Sequence, residues 1–137
     1  GLEKRVTDLH EHQSVLFGYI FSENLKVLLQ EEREFVLFLL VIIILASEME
    51  NGPLKPVEVK VFEDAEEKNW ELLGERVSTP FRERLDIFFK NTHQEDLLAF
   101  IEDTLSDSED GMVTKEGREV VFIFLKSVID CLEPEKA

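Results

Sequence analysis

Residues 35–46 read FVLFLLVIIILA, twelve apolar side chains without a break. Such a run belongs in lipid, in a buried strand or in a buried helix. Crossing a bilayer takes about 20 residues, and Glu31, Glu32 and Glu34 before the run and Glu48 and Glu50 after it close both ends. The β-branched Val36, Val41, Ile42, Ile43 and Ile44 suit a strand, yet strands seldom exceed about 10 residues. A signal peptide would need a basic flank and a place nearer the start. The run therefore predicts a helix over about residues 34–49, stopped by Asn51-Gly52-Pro53. Being apolar on every side, it must be surrounded, by the rest of the chain or in part by a second copy. A homodimer is thus one expectation.

Outward from that segment, amphipathic patterns predict five more helices. Asp8 and Glu11 form a capping-box pair for a first helix over residues 9–30, with Leu16, Ile20, Val27 and Leu28 on one face. A third helix, from Pro56 to about Arg76, places Val57, Val61, Ala65 and Leu72 along one side, with Phe62, Asn69 and Leu73 beside them. The alternation at 57–61 (VEVKV) also fits a short strand. Thr79-Pro80 starts a fourth helix carrying Phe81, Leu85, Phe88 and Phe89. Thr92 and Glu95 cap a fifth, to about Ser106, with Leu97, Leu98, Ile101 and Leu105. Thr114 caps the last, over residues 115–132, with Val121, Phe124, Leu125, Val128 and Leu132 inward. The expected fold class is all-α, a compact bundle of about six helices around the central apolar helix 35–46, forming one helical domain over residues 1–137. Setting 35–73 against 94–132 pairs Leu39 with Leu98, Ile42 with Ile101 and Gly52 with Gly111. This suggests a pseudo-twofold repeat, although any two helical hairpins align at a similar level.

Thirty acidic residues face fifteen basic ones, for a net charge of −15. That charge gives the phosphate-binding term the wrong sign, which argues against nucleic acid and anionic membranes. Divalent cations and basic protein surfaces remain as partners. Cys131 is the single cysteine, so neither an internal disulfide nor a thiolate zinc site can form. Its neighbours Ile129 and Leu132 point to a buried, unreactive thiol. A reducing cytoplasm fits. The sequence begins at Gly1 without a methionine, so any preceding segment stays open.

The acidic turns are the most suggestive chemistry. Glu48 and Glu50 precede Gly52, and Asp107, Glu109 and Asp110 precede Gly111. Calcium or magnesium needs several oxygens converging on one point, which such turns can supply. A solvated acidic loop accounts for the same residues. An EF-hand is excluded: with Gly111 at its sixth position, the first is Ser106 and the twelfth Gly117, so the leading Asp and the bidentate Glu are both missing. The stretch Ile44-Leu-Ala-Ser-Glu-Met-Glu-Asn-Gly52 with Glu58, and Asp107-Ser-Glu-Asp-Gly111 with Glu116, resembles tellurite-resistance domains of the TerB type. The likeness covers about half the chain and departs at the first turn, which has Glu-Asn-Gly for Ala-Asp-Gly. It implies a non-enzymatic helical domain with metal-binding acidic surfaces and a link to stress response.

Catalytic patterns are missing. His10 and His12 stand two apart, on opposite sides of a helix. No Glu-x-x-His pair occurs, which removes the di-iron carboxylate bundle. There is no Gly-x-Ser-x-Gly, and the six glycines fit neither a dinucleotide fingerprint nor a phosphate loop. The leading expectation is a small acidic interaction or regulatory domain without catalytic activity or cofactor. An enzyme built on scattered carboxylates is a further alternative for which no pair is singled out.

Overall fold

The computed structural model describes residues 2–74, 88–89, 95–106 and 115–135. Among these the chain is all-helical: α1 Leu2–His12, α2 Ser14–Ile20, a 3-10 turn at Glu23–Leu25, α3 Gln30–Asn51, α4 Val59–Gly74, α5 Glu95–Ser106 and α6 Lys115–Cys131. An isolated bridge joins Leu54 to Pro134. The alternating 57–61 segment makes no strand: 57 and 58 precede α4 and 59–61 open it, so the third predicted helix starts at Val59 rather than Pro56. The fourth helix expected from Thr79-Pro80 lies outside the described residues, except that Phe88 and Phe89 are helical and Phe88 is buried.

The first predicted helix is corrected. It begins earlier, breaks at Gln13 and ends at Ile20, where a single helix over 9–30 was expected. No proline or glycine marks the break. Gln13 itself sits at φ −114°, ψ 49°, and its side-chain amide works in a tertiary contact. Its Nε2 donates to the Lys55 carbonyl, and its Oε1 accepts from the Val57 N–H, both at 2.9 Å. Both halves of one buried amide are thereby satisfied, and the 53–58 linker is held beneath the α1–α2 joint.

α3 forms as expected and extends a turn further at its start. Its first turn closes when the Leu29 N–H donates to Glu32 Oε1 at 2.7 Å, which satisfies one of the donors a helix start leaves open. It stops at Gly52, whose φ of 79° and ψ of −170° belong to a region that only glycine enters readily.

The core is clamped by aromatic contacts between helices. Tyr19 of α2, Phe62 of α4 and Phe124 of α6 form a triangle with centroids 4.7–5.6 Å apart, two pairs edge-on and Tyr19–Phe124 stacked. Such pairs each contribute about 0.5–1.5 kcal/mol beyond area burial. Among the described residues α4 and α6 share the most extensive helix–helix contact. α6 is the most enclosed element, buried at every position from 121 to 129. α3, by contrast, buries Val36, Leu39, Leu40, Ile43, Ile44 and Ser47 on one side while Phe38 stays 54% exposed. Enclosure of the 35–46 run on all sides is therefore not what the burial pattern displays. The proposed repeat leans on the 107–114 turn, outside the described residues.

Candidate functional site

Three features stand out from the residues upward. The first is the outer side of α3. Phe35, Phe38, Ile42, Leu45 and Met49 follow alternating steps of three and four residues, the spacing that keeps side chains on one stripe of a helix. The stripe lies opposite the buried one. Phe38 and Met49 are exposed, at 54% and 88%, and Phe35, Ile42 and Leu45 are half-buried. Exposed carboxylates stand at its ends, Glu31 and Glu34 at one and Glu50 at the other. An apolar stripe of this length carries a hydration cost that isolated exposed side chains do not.

The second is a groove of about 590 Å³ between α2 and α4, floored by Val15 and Phe62 and rimmed by Glu63, Glu66 and Glu67. Tyr19 donates its hydroxyl to Glu66 across it. Burial, then the Glu66 hydrogen bond and the Glu66 and Glu63 charges, push the Tyr19 phenol above its ordinary range. Burial also raises the Glu66 carboxyl, with the Tyr19 hydrogen bond working against the shift and Glu63 adding to it.

The third is a polar seam between α4 and α6. Lys126 reaches Asp130 at 2.5 Å, and Asn69 donates to both Ser127 and Asp130 at 3.0 Å. Nearby, burial first and then the Asp130 and Glu133 charges push the Cys131 thiol up to about 12, which disfavours the thiolate form.

The acidic turn residues separate. Glu48 faces α1 and pairs with Arg5 at 3.3 Å, and Glu50 is exposed near the end of α3. Asp107, Glu109 and Asp110 lie outside the described residues. Among the described residues no three His, Cys, Asp or Glu side chains group as a metal-ligand set. His10 stacks on Phe17, while His12 bonds the Leu54 carbonyl. No helix among the described residues is long and apolar enough to cross a membrane.

Sequence reasoning passed over Tyr19 and Glu66, and placed Asn69 beside the apolar side of its helix without the Lys126–Asp130 pair it joins. The seam was signalled. Asn69 stands in the apolar register of Phe62 and Leu73, and Lys126-Ser127 interrupts the otherwise apolar stretch 120–129. The Tyr19–Glu66 contact joins residues 47 apart, and no local pattern announces it. Comparison with protein-family models, with curated proteins and with solved structures finds no match.

Proposed function

We propose that this chain is an acidic helical interaction domain without chemistry of its own, and that the outer side of α3 receives a basic amphipathic helix from a protein partner. The observation that carries the reading is the stripe itself: five apolar side chains at helix-pairing spacing, with Phe38 and Met49 open to water. A helix laid against such a stripe buries its own apolar face at matching intervals. Charge selects the kind of helix. Glu31, Glu34 and Glu50 bracket the stripe on a chain of net charge −15, which attracts lysine and arginine and repels a second copy of itself.

The test titrates the chain with a synthetic helix bearing leucine at its a and d positions and lysine at the flanks. A scrambled peptide of identical composition is the control. Saturable binding by the amphipathic peptide alone, lost in Phe38→Gln, is the expected result. Equal binding of the scrambled peptide, or indifference to Phe38→Gln, overturns the reading. Sedimentation of the free chain adds a second arm. A dimer that Phe38→Gln dissociates would make a second copy the occupant of the stripe and refute the basic helix.

A further inference from the structure

We infer that the cavity between α4 and α6 binds a small organic monocarboxylate, its carboxylate against Lys126 and its apolar part among Ala65, Leu72 and Phe88. The starting point is Lys126. Its side chain is only 5% exposed, and a lysine ammonium carries three N–H donors. One donor goes to Asp130 Oδ1 at 2.5 Å. Among the described residues no second acceptor reaches the nitrogen; the Phe88 ring, 5.9 Å away, stands at the outer limit of a cation–π contact.

The surrounding groups cannot take up the slack. Asp130 Oδ2 already accepts from Asn69, whose two amide hydrogens are shared between Asp130 and Ser127. Ser127 spends its own hydrogen on the Ile123 carbonyl at 2.7 Å. The unused donors of this network therefore belong to the buried ammonium, and leaving them unmet is costly. They border a cavity of about 260 Å³.

The cavity's character names its ligand. Lys68 and Lys126 both line the cavity, and Asp130 is the single carboxylate among its lining residues. This is a locally positive place on a strongly acidic chain, and it favours an anion. Ala65, Leu72 and Phe88 supply the remaining wall, which calls for an apolar body attached to that anion. A planar carboxylate offers two acceptor oxygens to the ammonium. The volume limits the ligand to one ring or a short chain.

The experiment follows thermal unfolding and backbone amide shifts of the whole chain with benzoate and hexanoate as probes. Benzamide and inorganic phosphate serve as controls. A ligand selective for the folded state raises the midpoint, so benzoate or hexanoate should raise it and move the amides of Ala65 and Leu72. Benzamide and phosphate should do neither. Lys126→Met should weaken benzoate binding by about tenfold or more. Because that change also disturbs Asp130, Ala65→Leu provides an independent variant that fills the cavity and leaves the ion pair intact; it too should abolish binding. Benzamide acting as strongly as benzoate would overturn the anion site, and phosphate acting as strongly would overturn the apolar half. No response at millimolar benzoate and hexanoate, or unchanged binding in Ala65→Leu, would overturn the whole inference.

Discussion

α6 and α3 divide burial between them in a way their compositions reverse. From 121 to 129 every residue of α6 is buried, Lys126 and Ser127 included. α3 contains the longest apolar run of the chain and yet leaves Phe38 and Met49 in water. The difference teaches that position in the bundle follows from which helices pack, not from which is most apolar. α6 is pressed against α4, where Ser127 is satisfied by Asn69 and the Ile123 carbonyl and Lys126 is held by its pair with Asp130.

The largest test of this contrast compares two phenylalanines. Phe124 is fully buried and joins the aromatic triangle, so Phe124→Ala should cost about 3–5 kcal/mol in chemical denaturation. Phe38→Ala should fall within about 0.5 kcal/mol of the parent, as exposed substitutions do. Comparable losses at both sites would erase the distinction between an enclosed α6 and a half-open α3.

Next in size is the Lys126–Asp130 pair. Asp130→Ala strands a buried ammonium, at a cost of about 3 kcal/mol, the low end for such pairs because Asp130 itself is 31% exposed. Lys126→Met should cost less, since it leaves a carboxylate that water can still reach. Denaturation midpoints of the two variants measure the order, and the reverse order would mean that Asp130 rather than Lys126 is the enclosed partner. Gly52→Ala comes third. It forces a side chain into φ 79°, ψ −170°, a loss of about 1–3 kcal/mol. Nothing lies within 4 Å of the added carbon, so backbone strain is the sole cause and a thermal-shift series should find Gly52→Ser equally poor.

The same contrast explains what was legible. The all-α class, the stop at Gly52 and the last helix followed from apolar spacing and turn residues, because those signals are local. Which side of α3 faces inward was not, since a run without polar residues has no marked face. The break at Gln13 was hidden for a different reason: its cause is a pair of hydrogen bonds to Lys55 and Val57, some 42–44 residues away. Of the expected acidic site, Glu48 is drawn off to Arg5, a partner that reading the turn alone could not supply.

The smallest expected effect concerns Glu66, in the groove between α2 and α4. Burial raises its carboxyl above the ordinary 4.5, so the folded state holds the proton more tightly than the unfolded chain. Below pH 4.5 both states are protonated and this preference stabilises the fold in full. As pH rises through the folded value, the carboxyl ionises in its partly buried place and the contribution is lost. Glu66→Gln keeps an acceptor for the Tyr19 hydroxyl and removes the titration. Its urea midpoint, measured against pH, should therefore gain on the parent as the pH rises from acid toward neutral, the other carboxylates cancelling in the difference. Curves that stay parallel would show that Glu66 ionises without cost. The groove would then be as well hydrated as the outer side of α3, and its burial, like that of the apolar run, would be less complete than its neighbours suggest.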